Sequence, residues 1–170
     1  MKNLLKKILQ AFNYRLINLK SRKKYETFET IKYLLEKIPS DNYTIFDIGG
    51  NTGEFSKKVE NGIYNMSNKK SCEFFIFEPN KELLKQIDNQ KIKNAKVYNF
   101  GIGDKVTKAT FHIHEKHGKS SFLNIEESYF ENREKYKITK VESHIDNLDN
   151  FTNKNNINFI DLLKIDVQGM

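Results

Sequence analysis

The sequence predicts an α/β protein with a doubly wound, mostly parallel sheet and helices on both faces. Short, nearly continuous apolar runs alternate along the chain with segments whose apolar residues recur every three or four positions. The runs are typical of strands buried on both faces, and the spacing is typical of helices that cover a sheet. With 170 residues, of which 38% are hydrophobic and 30% charged, the chain has the length of one domain that can bury a core.

The first half of this sheet follows from five segments. A helix over about residues 25–37 has its apolar residues on one face and ends near Pro39. Residues 43–48 form a buried strand that runs into glycines, and a helix follows over about residues 54–66. A second strand over residues 72–78 is closed by Pro79, and Asn80 is a suitable N-cap for a helix over residues 80–89.

The second half contains strands of two kinds. Residues 97–100 form a third strand, which runs into Gly-Ile-Gly-Asp at 101–104. Residues 109–114 and 137–144 alternate apolar and polar side chains, as strands with one solvated face do. The polar stretch between them, residues 115–136, is long enough to predict a functional loop or lid. A short helix near residues 146–151 precedes a fourth buried strand over 159–166.

Residues 1–24 form a basic arm in front of the predicted domain, which we expect over residues 25–170. The arm has eight basic residues and no acidic one; the remainder has 21 bases and 22 acids, so the net charge of +7 is the sum of +8 and −1. The apolar residues of the arm fall on one helical face. They fit a helix that packs on the domain, and also a basic amphipathic helix on an anionic membrane face or a partner.

Several locations and partners are disfavoured. Charges interrupt the apolar residues of the arm, so it does not read as a secretory signal, and no stretch approaches the ~20 apolar residues of a membrane span. No nucleic-acid motif accompanies the basic residues, and we expect no nucleic-acid partner. The single cysteine, Cys72, precedes an apolar run and is expected to be a buried, inert thiol. We therefore expect a cytoplasmic protein, whose arm is suited to the inner membrane face.

A glycine turn between the first strand and the next helix is the first candidate binding feature. Asp47, Gly49, Asn51 and Gly53 follow the spacing D-x-G-x-N-x-G, which is neither the dinucleotide fingerprint nor a P-loop. Asp47 would repel a pyrophosphate but attract a cofactor with a cationic ammonium and sulfonium. The alternative is an ordinary tight turn with a helix N-cap.

A second acid stands at the end of the second strand. Glu78 follows Asp47 by 31 positions and is placed where a carboxylate can accept hydrogen bonds from both hydroxyls of a ribose. The alternative is a surface glutamate before a proline turn. Together with the glycine turn, Glu78 predicts a nucleoside-containing cofactor, and the first loop disfavours NAD.

Three histidines invite a metal-site interpretation. His112 and His114 would share one face of a strand, and His117 follows shortly after. No carboxylate or cysteine pattern completes a known site, so we predict no metal and expect these histidines to lie on a solvated strand face.

The glycine turn, the second acid and several later segments resemble the FkbM family of S-adenosylmethionine-dependent methyltransferases. The matching segments are residues 46–56, 77–80, 99–104, 120–123 and 160–169, and the most specific is Leu-Leu-Lys-Ile-Asp-Val-x-Gly at 162–169. The resemblance spans about residues 44–170 and implies a Rossmann-like class I methyltransferase with the strand order 3-2-1-4-5-7-6. It also implies O-methyl transfer to sugars, glycans or secondary metabolites.

The resemblance implies a role for each residue of the two candidate binding features. Asp47, Gly49, Asn51 and Gly53 would line the methionine end of the S-adenosylmethionine cofactor. Glu78 would hold its ribose.

Further roles concern the adenine and the reaction. By the same resemblance, the turn at Gly103 and Asp104 would approach the adenine, and Asp166 would face the sulfonium and the methyl acceptor. Asp166 is also our first candidate for the base that takes the proton of the acceptor hydroxyl, and His144 is the second. Lys164 is either a structural charge or a contact to substrate, and the sequence does not decide between them.

The end of the chain departs from the family pattern. Gln168 stands where the family usually has Glu, and Gly50 stands where Ala is common. Related domains continue through further strands, so we expect a C-terminally incomplete domain. The fourth strand would then be an exposed apolar edge that pairs with another chain, and the chain alone would be weakly stable.

Three functions are compared. An O-methyltransferase with a small-molecule or glycan acceptor is favoured. The alternative is a truncated module that binds the cofactor but is catalytically inactive, or that serves as a partner-binding piece. A nucleic-acid methyltransferase is disfavoured because the chain has Asp-Val-Gln-Gly at 166–169, where that class has an Asn/Asp-Pro-Pro-Tyr/Phe motif.

Overall fold

The computed structural model describes residues 24–66, 71–115, 119–123 and 138–167, with side chains from residue 28 onward. The predictions for residues 1–23, for His117 and Gln168, and for most of the 115–136 loop lie outside the described residues. The elements in chain order are α1 (Lys24–Glu36), β1 (Asn42–Ile48), α2 (Glu54–Tyr64), β2 (Ser71–Phe77), α3 (Lys81–Asn89), β3 (Ala95–Tyr98), β4 (Gly101–Gly103), β5 (Thr107–His114), β6 (Ile138–Asn147), α4 (Leu148–Lys154) and β7 (Leu162–Ile165).

The central sheet has the strand order β3-β2-β1-β7, and all of its pairs are parallel. Each parallel connection passes through at least one helix, which confirms the predicted doubly wound α/β class. In this register Asp47 of β1 lies opposite Ile76 of β2 on one side and Lys164 of β7 on the other. Asp47 and Lys164, which are 117 positions apart in the sequence, therefore become neighbours on adjacent strands.

A second, three-stranded sheet has the order β4-β6-β5. The two alternating segments pair antiparallel as β5 and β6, and β4 joins β6 in parallel. The sequence interpretation of Gly103 and Asp104 as a turn is wrong for Gly103, because Gly101–Gly103 pair with β6 as a short strand. Three residues are too few to show a strand pattern in the sequence.

Two hydrophobic cores lie on opposite faces of the central sheet because the side chains of β1 and β2 alternate. One core contains Ile45 and Phe74 together with buried residues of α1, α2 and α3. The other contains Phe46 and Phe77 together with Phe151 of α4. The prediction of helices on both faces is thus confirmed, and β1 and β2 are nearly continuous apolar runs because both of their faces are covered.

Other predicted features can be compared with the described residues. Asn80 caps α3, since its side chain accepts a hydrogen bond from the backbone of Glu82. Cys72 is buried as predicted, and burial, with a smaller contribution from Glu60, raises the pKa of its thiol to about 11. In the described part of the chain, no helix is long and apolar enough to cross a membrane.

Strand β7 pairs with β1 on one side, and no described strand pairs with its other side. Leu163 and Ile165 of this strand are 41% and 61% exposed. The expected pairing of this edge with another chain stays a prediction.

Phe151 offers a test of how the second face is closed. Its ring packs edge-on against the rings of Phe46, Phe75, Phe77 and Tyr98. Phe151→Ala leaves a cavity in this cluster, and we expect it to lower the free energy of unfolding by about 3–5 kcal/mol in urea titrations.

The matched control is Phe159→Ala, since Phe159 is 68% exposed and lies outside both cores. Its loss should change the free energy of unfolding by less than about 0.5 kcal/mol. Equal effects of the two substitutions would contradict this description of the core.

Candidate functional site

A cavity of about 270 Å³ opens at the carboxyl ends of the parallel strands, where ligands bind in open α/β sheets. Its floor is formed by the ends of β1, β2 and β7 and the turn after β1, and another side is formed by β4, β5 and the short segment 120–122. The residues that line it are Ile48, Gly49, Gly50, Asn51, Thr52, Glu54, Phe55, Phe77, Glu78, Pro79, Gly101, Ile102, Phe111, Ser120, Ser121, Phe122, Lys164, Asp166 and Val167.

The turn after β1 requires glycine for close packing. A Cβ atom added to Gly49 would lie 2.3 Å from the carbonyl oxygen of Asp166, and the φ angle of Gly49 is +78°. A Cβ atom added to Gly50 would lie 2.3 Å from Cγ2 of Ile76. The backbone N–H groups of both glycines donate to the carbonyl oxygen of Phe77 at 3.0 Å. The turn is therefore held tightly between the ends of β2 and β7.

Asp47 is completely buried, and its two carboxyl oxygens contact Ser56 and Lys164. Its Oδ2 accepts a hydrogen bond of 2.7 Å from the hydroxyl of Ser56, and its Oδ1 lies 2.9 Å from Nζ of Lys164. The same ammonium group donates to the carbonyl oxygen of Gly49 at 2.6 Å. Asp47 thus fixes Lys164, and Lys164 fixes the glycine turn. Asp47 itself is not among the residues that line the cavity.

Glu78 presents a buried carboxylate to the cavity. Its side chain is anchored by two backbone groups: Oε2 accepts from the N–H of Asn51 and Oε1 from the N–H of Asn80, both at 2.8 Å. Burial raises the pKa of Glu78; the two backbone hydrogen bonds and the charge of Lys164 lower it, and the charge of Asp47 raises it. Each oxygen of a carboxylate offers about two acceptor sites, so one site on each oxygen of Glu78 is left for a ligand.

Asn51 and Asp166 complete the polar lining on this side. Asn51 has a φ angle of +49°, a conformation that asparagine tolerates better than most residues. Its Oδ1 is buried and has no hydrogen-bond partner among the described residues. Asp166 is exposed at the mouth of the cavity, and its backbone N–H donates to Ile48 at 3.0 Å. On this side of the cavity, the polar side chains therefore offer mainly hydrogen-bond acceptors.

The other predicted site residues lie elsewhere. Gly53 is the N-cap of α2 with φ +77° and packs against Ile87 of α3. Gly103 belongs to β4 and Asp104 follows it on the exposed surface; the cavity is lined by Gly101 and Ile102 of that strand instead.

His144, the second candidate base, is exposed on β6 and packs edge-on against Phe100 at 5.6 Å between ring centroids. It is not among the residues that line the cavity, whereas Asp166 is. The structure therefore brings together Gly49, Asn51, Glu78 and Asp166 of the predicted set.

The prediction of a solvated histidine face on β5 is wrong. His112 and His114 are 6% and 0% exposed. The reason is that residues 120–121 cover this strand: the backbones of His112 and Ser121 exchange hydrogen bonds of 2.8 and 3.1 Å, and the N–H of His114 donates to Ser120. No group of three or more metal-binding side chains was found among the described residues.

Sequence reasoning missed one wall of the cavity. Phe122 packs on Phe111, with 4.8 Å between the ring centroids, and also on Gly101, where an added Cβ atom would lie 2.6 Å from the Phe122 ring. Both phenylalanines line the cavity. In the sequence, the one sign of this wall was the Ser-Ser-Phe segment at 120–122, which matches the family pattern.

A parallel sheet ordered β3-β2-β1-β7, with a glycine turn after β1 and a buried acid after β2, defines a Rossmann-like fold of the class I methyltransferase type. Residues 47–170 match the family model described as the methyltransferase FkbM domain, and the chain belongs to this family. Searches among the curated proteins and among the solved structures found no match.

The ion pair between Lys164 and Asp47 predicts a large effect on stability. Lys164→Met leaves the fully buried carboxylate of Asp47 without its counter-ion, and we expect the free energy of unfolding to fall by about 3 kcal/mol. Asp47→Asn in the same chain removes the uncompensated charge, so the double variant should recover most of this loss.

The control is Lys108→Met, which breaks the exposed ion pair between Lys108 and Glu142 and should leave the free energy of unfolding nearly unchanged. Urea denaturation of the wild type and the three variants measures all of these values. If Lys164→Met proved as harmless as the control, the ion pair would not be what holds the turn.

Glu78 predicts a dependence of stability on pH. Because its folded pKa is raised above the ordinary value of 4.5, the folded chain holds the proton more tightly than the unfolded chain does. The contribution of Glu78 to stability is complete below pH 4.5 and decreases as the pH rises through the folded pKa.

Urea denaturation between pH 4 and pH 7 should therefore show wild type losing free energy of unfolding relative to Glu78→Gln as the pH rises. Glu82→Gln, which removes an exposed carboxyl from α3, is the matched control. The assignment is contradicted if the difference between wild type and Glu78→Gln is flat, or if the control gives an equal slope.

Proposed function

We propose that the chain is an S-adenosylmethionine-dependent O-methyltransferase that transfers a methyl group to a hydroxyl of a sugar, a glycan or a secondary metabolite. Membership of the FkbM methyltransferase family supports methyl transfer in general. The observation that carries the finer proposal is Glu78, a carboxylate buried to 6% exposure that nevertheless borders a cavity beside a glycine turn.

The free acceptor sites of the cavity fit an adenosyl group. Two neighbouring oxygens of Glu78 each retain one acceptor site, which suits the two adjacent hydroxyls of a ribose. The buried Oδ1 of Asn51 is a further acceptor without a partner among the described residues. Apolar contacts for a base are available from Ile102 and Phe122 on the opposite wall. The residues present therefore fit the cofactor that the sequence predicts.

The positions of the charged residues support transfer to a hydroxyl. When bound, the cofactor supplies a methyl group that is already activated on a sulfonium, so the protein mainly has to align the acceptor oxygen and shape the charge around it. Asp166 at the cavity mouth can accept the proton of an acceptor hydroxyl during attack. His144 is less suited to this role because it lies outside the cavity lining.

Ser120 and the aromatic rings of Phe111 and Phe122 give the other wall of the cavity a mixed polar and apolar character. Such a surface suits the hydroxyl groups and the apolar ring face of a sugar. We also propose a cytoplasmic location, which rests on the single, buried cysteine of the sequence. Contact of the basic arm with an anionic membrane face remains a prediction.

The proposal is tested by measuring cofactor affinity with isothermal titration calorimetry. Glu78→Gln removes one acceptor oxygen and the charge from the ribose contact, so we expect binding of S-adenosylmethionine to weaken about tenfold to a hundredfold. A labelled-methyl assay with glycan extracts should show transfer by the wild type and a matching loss in the variant.

Glu82→Gln is the control, because Glu82 lies near Glu78 in the chain but is exposed outside the cavity. Its affinity and transfer rate should match those of the wild type. If wild type binds the cofactor but transfers no label to any extract, the inactive binding module replaces the enzyme as the better account.

A further inference from the structure

Acidic residues outnumber basic residues in the lining of the cavity. Among the described residues that line it, Glu54, Glu78 and Asp166 are acidic, and Lys164 is the single basic one. A methionine-derived sulfonium compound at neutral pH carries two positive groups and one carboxylate. Glu54 is paired with Lys58, so Glu78 and Asp166 are the acids of this lining that can face a ligand. Lys164 is its one charged group suited to a negative ligand atom.

The contacts of Lys164 within the protein do not use all of its N–H donors. An ammonium group has three N–H donors, and one of them goes to the carbonyl oxygen of Gly49 at 2.6 Å. Oδ1 of Asp47, 2.9 Å away, is its ion-pair partner. The side chain is 15% exposed, and it lines the cavity together with Phe55, whose ring centroid is 5.6 Å from Nζ. One donor is therefore left for a ligand.

The two internal contacts also fix the position of the ammonium group. Asp47 is completely buried and is itself held by Ser56, so Lys164 cannot move far without leaving a buried carboxylate unpaired. A charge that is already in place loses little side-chain entropy when a ligand binds. Lys164 is also close enough to Glu78 for its charge to act on that carboxyl group.

We propose that Lys164 binds the α-carboxylate of the methionine part of the cofactor, and that it does so while still paired with Asp47. This inference rests on the proposed function and names a further binding residue for it. Asp47, expected from the sequence to face the cationic cofactor, then acts as a positioning residue for Lys164. The positive ammonium and sulfonium groups are left to Asp166 and the buried oxygen of Asn51, since Glu78 is assigned to the ribose.

The alternative binding site for the α-carboxylate of the cofactor is the N-terminus of α2. The N-cap residue of this helix, Gly53, makes no side-chain capping hydrogen bond, and the N–H groups of a helix's first turn carry a partial positive charge. The two alternatives differ in what happens when the ammonium group of Lys164 is removed.

The test compares two ligands that differ only in the carboxylate, S-adenosylmethionine and its decarboxylated analogue, in calorimetric titrations of the whole chain. Wild type should bind S-adenosylmethionine about tenfold to a hundredfold more tightly than the analogue. Because Lys164→Met alone leaves Asp47 unpaired, the lysine is removed in the double variant Asp47→Asn, Lys164→Met. Its preference should fall below about threefold, with the affinity for the analogue nearly unchanged.

Two matched variants isolate the effect of the lysine. Asp47→Asn alone keeps the ammonium group but loses the ion pair that positions it, so it should retain more of the preference for the carboxylate than the double variant does. Lys108→Met, which removes an exposed lysine, should keep the full preference. The inference is overturned if the double variant retains the full preference, which would assign the carboxylate to the start of α2. It is also overturned if wild type binds both ligands equally. Failure of wild type to bind either ligand would instead overturn the proposed function, and this inference with it.

Discussion

The ion pair between Asp47 and Lys164 links the core of the sheet to the cavity. The two residues are neighbours in the parallel register of β1 and β7, and Lys164 also holds the carbonyl oxygen of Gly49. The glycine turn is thereby fixed between strands, where a side chain on Gly49 or Gly50 would collide with the backbone or with Ile76. The shape of the cavity therefore depends on a charge pair whose acidic member is completely buried.

Binding and stability make opposite demands at Glu78. Burial without a full counter-charge raises its pKa, so an ionised Glu78 costs the empty protein stability. The same burial keeps the carboxylate anchored by Asn51 and Asn80 and aligned for a ligand. Such opposition is typical of functional sites, because groups arranged for a ligand are rarely arranged for maximal stability.

The sequence predicted the central sheet well because its signals are local. Apolar runs marked β1, β2 and β7, glycines marked the turn at 49–53, and Asn80 marked the start of α3. The features that the sequence did not predict depend on contacts between segments that are distant in the chain. His112 and His114 are buried because Ser120 and Ser121 pair across them, and Lys164 acquires its partner only through strand register. Neither contact leaves a periodic trace in the sequence. Gly103 and Asp104 were placed at the cavity by resemblance, whereas Gly101 and Ile102 line it.

The chain belongs to the FkbM methyltransferase family, and its cavity is lined by a glycine turn, the buried carboxyl group of Glu78 and Lys164. The most direct test is a crystal structure of the chain grown with S-adenosylmethionine. We expect both ribose hydroxyls to lie within hydrogen-bond distance of Glu78 while Lys164 remains paired with Asp47. An adenosyl ligand bound away from Glu78, or a glycine turn that opens and separates Lys164 from Asp47, would contradict this expectation.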